Sequence, residues 1–121
     1  EAALLARLGF EVIGLDFSSE AIREARRLHG EHAQLRWLQA DLFDADALSG
    51  AGMGSLSGVL EHTWFCAIDP SKRAHYRSTV DRMLFAESWL LGLFFCHSRP
   101  CGSPYGSDPE ELAASWAQIG F

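Results

Sequence analysis

The sequence predicts an α/β fold: a mostly parallel sheet with helices on both faces. Three observations carry this reading. Short runs such as Glu11-Val12-Ile13-Gly14-Leu15 are nearly all apolar, as in strands covered on both sides. The segments between them carry apolar stripes at helical spacing. Helical and strand-like segments also alternate along the chain, the order that parallel sheets with crossover helices require.

Taken in order, Ala2, Leu4, Leu5 and Leu8 form the apolar stripe of a first helix, and Gly9 ends it as a C′ residue. The strand Glu11–Leu15 follows. Ser18 or Ser19 caps a second helix as a loose capping box, since Ala21 rather than Glu stands three residues after Ser18. Its inward stripe is Ala21, Ile22, Ala25 and Leu28, and it fades by Gly30. Gln34 to Gln39 reads as another strand. Ala45 to Gly58 is rich in Gly, Ser and Ala and reads as a surface loop with about one turn of helix. Gly58-Val59-Leu60 opens a strand that ends near Glu61. Pro70 starts a helix with the stripe Tyr76, Val80, Met83 and Leu84. Trp89 to Cys96 reads as a buried strand. Asp108-Pro109-Glu110-Glu111 opens the last helix with an N-cap, a proline at N1 and acids on the positive end of the helix dipole.

These elements fill one domain over residues 1–121, and the pattern is that of a partial one. The chain opens inside a helix without a methionine, and Ile119-Gly120-Phe121 stands where a further strand would begin. With 10 Lys and Arg against 16 Asp and Glu, the net charge of −6 repels phosphate backbones, so nucleic acid is not an expected partner. Arg23, Arg26 and Arg27 share their helix with Glu20 and Glu24, with Glu31 just beyond, which describes a solvated face. The longest apolar run, Trp89 to Cys96, falls far short of the ~20 residues that span a bilayer, so no membrane is expected. Three cysteines without framework spacing suit a reducing cytoplasm. Nothing in the pattern specifies an oligomeric state.

In open α/β sheets ligands bind beyond the carboxyl ends of the strands. Asp16 stands there after the first strand, where a carboxylate accepts hydrogen bonds from both hydroxyls of a ribose; a helix-capping Asp is the plainer alternative. Gln39-Ala40-Asp41-Leu42-Phe43 follows the next strand. Its acid suits the exocyclic amine of an adenine, and Leu42 or Phe43 suits the ring face. Together the two acids point to a nucleoside.

The third strand end is Val59-Leu60-Glu61-His62-Thr63-Trp64-Phe65-Cys66-Ala67-Ile68-Asp69-Pro70. This run has Gly14-Leu15-Asp16-Phe17-Ser18 upstream and Pro104-Tyr105-Gly106-Ser107-Asp108-Pro109-Glu110-Glu111-Leu112 downstream. The combination resembles the thiopurine S-methyltransferase family, which includes thiol and halide methyltransferases. The resemblance covers essentially the whole chain. It implies a Rossmann-like class I methyltransferase that uses S-adenosylmethionine, with the first strand, its glycine-rich loop and the last strands lying outside residues 1–121. It also implies that Asp16 and Phe17 lie at the cofactor ribose and that Asp41, Leu42 and Phe43 lie at the adenine. Glu61 and His62 fall near the methionine portion of the cofactor or the acceptor. Trp64, Phe65 and Tyr105 line the pocket of a small-molecule methyl acceptor. One departure stands out: the family usually has a Pro-Gly-Gly turn where this chain has Phe85-Ala86-Glu87-Ser88.

The implied chemistry is a direct displacement, in which the enzyme aligns the nucleophile and excludes water. A neutral thiol must lose its proton, and His62 or Glu61 is placed to assist, directly or through a water. A hydrogen-bonded pocket histidine is the plainer reading of His62. A metal site built from His62, Cys66, Cys96, His97 and Cys101 is disfavoured, because no paired CxxC spacing is present. A nicotinamide-dependent dehydrogenase would share the strand-tip acid but gives the Glu61–Pro70 run no role. A non-catalytic, cofactor-binding relative is the third alternative.

Overall fold

The computed structural model describes residues 1–100 and 102–121, so Cys101 lies outside the described residues. Helices and strands alternate, and the chain forms two compact units, residues 1–51 and 52–121.

The first unit contains α1 (Ala2–Arg7), β1 (Val12–Asp16), α2 (Ser19–His29), β2 (Leu35–Gln39) and α3 (Ala45–Gly50). Helix α1 stops at Leu8, and Gly9 follows with φ +97°, the C′ conformation its sequence position suggests. Strands β1 and β2 pair in parallel from Val12↔Leu35 to Asp16↔Gln39, joined by α2 as the crossover. Ser18 caps α2, its hydroxyl accepting from Ala21 N–H at 3.3 Å. Of the stripe expected on α2, Ile22 is buried and Ala25 half-buried, whereas Ala21 and Leu28 are exposed. The glycine inside β1 has a packing cause: Trp37 lies directly across it, and a Cβ on Gly14 would overlap the indole. The indole Nε1 is in turn held by the Gly30 carbonyl at 2.7 Å. Helix α3 is longer than the single turn expected in the Gly/Ser-rich stretch. Asp44 caps it by accepting from Ala47 N–H, and Leu48 anchors it.

The second unit contains β3 (Leu56–Glu61), α4 (Trp64–Ala67), a 3₁₀ turn (Pro70–Lys72), α5 (Arg73–Met83), β4 (Leu84–Gly92) and α6 (Pro109–Ala117). Strands β3 and β4 are parallel, in register from Gly58↔Trp89 to Glu61↔Gly92. Tyr76, Val80 and Met83 of α5 are buried as their spacing requires, and Thr79 is buried with them. Leu84 already belongs to β4. Asp108 caps α6 by accepting from both Glu110 and Glu111 N–H.

The expectation for β4 is corrected. The strand runs Leu84–Gly92 rather than Trp89–Cys96, and it is not buried: Trp89 and Leu91 are exposed, as are Leu93 and Phe95 beyond it. The ladder sets these limits. It ends where β3 ends, with Leu93 N–H donating to the Glu61 carbonyl, so among the described residues the apolar stretch after Gly92 has no partner strand to extend along. Among the described residues no helix is long and apolar enough to cross a membrane.

Candidate functional site

In the first unit the strand-tip acids fall together. Asp16 ends β1 opposite Gln39, and the Ala40 N–H donates to the Asp16 carbonyl at 3.1 Å, which brings Asp41 beside the end of β1. The half-buried Asp16 accepts the Ser18 N–H on Oδ1 at 2.8 Å. That bond closes an Asx turn and sets Ser18 for its cap on α2. Ser18 rather than Asp16 is therefore the N-cap of α2, and Asp16 supports it through Oδ1, while Oδ2 has no hydrogen-bond partner among the described residues. Asp41 is built the same way, Oδ1 accepting the Phe43 N–H at 2.9 Å. Phe17 is 69% exposed at the strand tip, Leu42 is buried and Phe43 half-buried. The edge thus presents two carboxylates flanked by apolar surface, a donor-poor and acceptor-rich set that suits ribose hydroxyls and an adenine amine. A surface groove of about 430 Å³ also occurs in this unit, beside Ile13, Arg36, Trp37 and Leu38. It flanks the strands rather than lying beyond their carboxyl ends, and it contains neither acid.

In the second unit Glu61 ends β3 and is 4% exposed. Both of its oxygens have partners. Oε1 accepts the Phe65 N–H at 3.0 Å, and Oε2 accepts the Tyr76 hydroxyl at 2.6 Å. The carboxylate thus serves as a cap for the first turn of α4 and ties it to α5. The burial of Tyr76, and then the charge and hydrogen bond of Glu61, hold its phenol protonated far above the usual range. His62, the next residue, is exposed.

Phe65 is buried in an aromatic cluster with edge-on contacts to Tyr76 (5.6 Å between centroids) and Phe94 (5.2 Å), and with Trp116 at 6.3 Å. Trp64 is half-buried. Tyr105 is also half-buried, and its N–H donates to the Cys66 carbonyl at 2.7 Å, so the loop carrying it is docked on α4. Two further contacts pin that loop: Ser107 N–H to the Phe95 carbonyl, and His97 Nε2, 3.0 Å from the Pro104 carbonyl. Gly106 sits so close to the His97 carbonyl that a side chain there would collide. The three residues expected at an acceptor pocket therefore share one neighbourhood, with Phe65 at its interior.

Arg73 is absent from the residues the sequence singles out and Tyr76 is expected only in the stripe of its helix, yet both hold this neighbourhood in place. The Arg73 guanidinium lies over the Phe65 ring at 4.5 Å, and its Nη2 donates to the Gly106 and Tyr105 carbonyls at 3.1 and 3.4 Å. Burial lowers the Arg73 pKa from its ordinary value, with Cys66 acting in the opposite direction. A signal for Arg73 did exist: a cation in the first turn of a helix opposes the dipole and implies an engagement elsewhere. Among the described residues no group of three or more His, Cys, Asp or Glu is placed to hold a metal ion, and Cys66 and Cys96 are free thiols.

Parallel strands linked by helices, with acids at the carboxyl ends of the strands, place the chain among α/β proteins, whose open sheets bind ligands at those ends. The family model for thiopurine S-methyltransferase (TPMT) matches residues 1–119, and the chain belongs to that family. Its members are S-adenosylmethionine-dependent methyltransferases. No individually curated protein matches the chain.

Proposed function

We propose that the protein methylates a small soft nucleophile (a thiol, thiopurine or halide) at the expense of S-adenosylmethionine. The family match over residues 1–119 carries this reading. The first unit supports it independently, because the residues present fit the cofactor's nucleoside. Asp16 would hold the ribose hydroxyls through Oδ2 with Phe17 alongside, and Asp41, Leu42 and Phe43 would meet the adenine. When bound, S-adenosylmethionine supplies a sulfonium methyl group that is already electrophilic.

The second unit's residues have the remaining tasks. Trp64, Phe65 and Tyr105 form an apolar wall that strips water from a soft nucleophile and aligns it. Glu61 acts through its hold on Phe65 rather than as a base, since Phe65 N–H and Tyr76 O–H occupy its oxygens. That leaves the exposed His62 to take the proton of a neutral thiol, directly or through a water.

The test is to mix the full-length protein with S-adenosylmethionine and a panel of thiols, thiopurines and halides, and to follow methylated product by mass spectrometry. Methylation of at least one class is the expected result. Cofactor binding without product from any acceptor overturns the acceptor assignment and leaves a binding module.

A further inference from the structure

The contacts of Arg73 exceed what anchoring a helix requires. One face of the guanidinium covers the Phe65 ring, and its Nη2 reaches two consecutive carbonyls, Tyr105 and Gly106. Phe65 and Tyr105 lie 40 positions apart in sequence, on α4 and on the loop before α6. Arg73 begins α5, so a single side chain ties three separate segments together. Only a planar cation does this: it stacks on a ring and donates in its own plane at the same time, whereas an ammonium is a point charge without a face. The loop also relies on the Tyr105 N–H bond to Cys66, which places its backbone on α4 but leaves the Tyr105 and Gly106 carbonyls to Arg73.

We infer that Arg73 is a positioning residue for the methyl acceptor: it latches the Tyr105–Gly106 segment against Phe65 and so sets the width of the acceptor pocket. It acts through Phe65 and Tyr105, and the inference rests on the proposed pocket. If the latch is lost, the loop swings from α4 and the acceptor is held poorly, while the strand-tip acids of the first unit keep their own local bonds. Acceptor binding therefore changes more than cofactor binding.

The experiment compares full-length wild type with Arg73→Lys and Arg73→Gln by two readouts. The first is amide hydrogen exchange at Tyr105 and Ser107, whose N–H groups bond to Cys66 and Phe95. This readout does not depend on activity, so it stands even if no acceptor is ever methylated. Exchange at these two amides is expected to rise about tenfold or more in both variants, with the amides of α5 beyond its first turn unchanged. The second readout is kinetic. KM for the acceptor is expected to rise at least fivefold, the affinity for S-adenosylhomocysteine to stay within twofold, and Lys to fail to rescue. Unchanged exchange at Tyr105 and Ser107 overturns the latch. Faster exchange with an unchanged acceptor KM overturns its role in the pocket, as does full rescue by Lys. Should Arg73→Gln fail to fold, Arg73→Lys alone carries both readouts.

Discussion

The Tyr76 hydroxyl donates to Glu61 Oε2 at 2.6 Å inside the second unit, where both residues are almost fully buried. This bond joins α5 to the end of β3, and the other oxygen of the same carboxylate caps α4 at Phe65. A buried carboxylate that loses a partner retains its desolvation cost without compensation. The pair therefore holds Phe65 through its backbone while Arg73 stacks on its ring.

Tyr76→Phe is expected to lower stability by about 1.5–3 kcal/mol, the range for hydrogen bonds to charged groups. The pH dependence follows from the raised phenol pKa. A folded-state value above the unfolded one contributes stability that is complete below the unfolded pKa of about 10 and declines as pH rises beyond it. The gap between wild type and Tyr76→Phe in urea denaturation should thus be constant from about pH 7 to 9 and narrow above about 10. A gap that widens in alkali would contradict this sign.

Gly14→Ala is expected to destabilise the first unit by about 1–3 kcal/mol, because the added methyl must displace the Trp37 indole that packs across β1. The indole is tethered to the Gly30 carbonyl, so it cannot move without breaking that bond. The double substitution Gly14→Ala with Trp37→Leu should recover part of the loss, and tryptophan fluorescence during thermal unfolding would report both. If Gly14→Ala costs nothing, Trp37 does not pack as described.

Local signals explain why much of the fold was legible. The caps at Ser18 and Asp108, the stop at Gly9 and the Tyr76–Val80–Met83 stripe depend on neighbours within about a turn, and sequence spacing encodes them. The strand at Trp89–Cys96 was misplaced because an apolar run does not say where its partner ends. The limit came from β3, whose last residue Glu61 pairs with Gly92, 31 positions on. The same distinction divides the site. The strand-tip positions of Asp16 and Asp41 are readable because each follows a short apolar run. Arg73 acquires its role only when residues 65, 105 and 106 meet it in space. Glu61 is intermediate: its position at a strand end was legible, but its inward turn toward Tyr76 was not.

Asp16 orders the start of α2 through Ser18, and its proposed hold on the ribose is a second role that separate substitutions distinguish. Asp16→Ala is expected to weaken S-adenosylhomocysteine binding by about 1.5–3 kcal/mol, and to loosen the start of α2 through loss of the Ser18 N–H acceptor. Asp16→Asn retains an oxygen for Ser18 but replaces one acceptor with a donor, so it should keep the helix start and still lose affinity. Calorimetric titration and the circular dichroism of the two variants separate the effects. Undiminished affinity in Asp16→Ala would remove Asp16 from the ribose site.

His62 is the one candidate base that the fold leaves accessible, because Glu61 is committed to Phe65 and Tyr76. His62→Gln should lower kcat for a thiol acceptor by about 10²-fold at neutral pH, the lower end of what general-base catalysis supplies. A thiol that has already ionised needs no base, so this loss should fade as pH passes the acceptor's own pKa, about 8.5 for a cysteine-like thiol. Iodide brings no proton to the reaction, and with it the substitution should show no comparable pH-dependent loss. Steady-state kinetics with one thiol and iodide from about pH 6 to 10 make the comparison within one enzyme. A loss that is equal for both acceptors and flat with pH would assign His62 to shaping the pocket rather than to proton transfer.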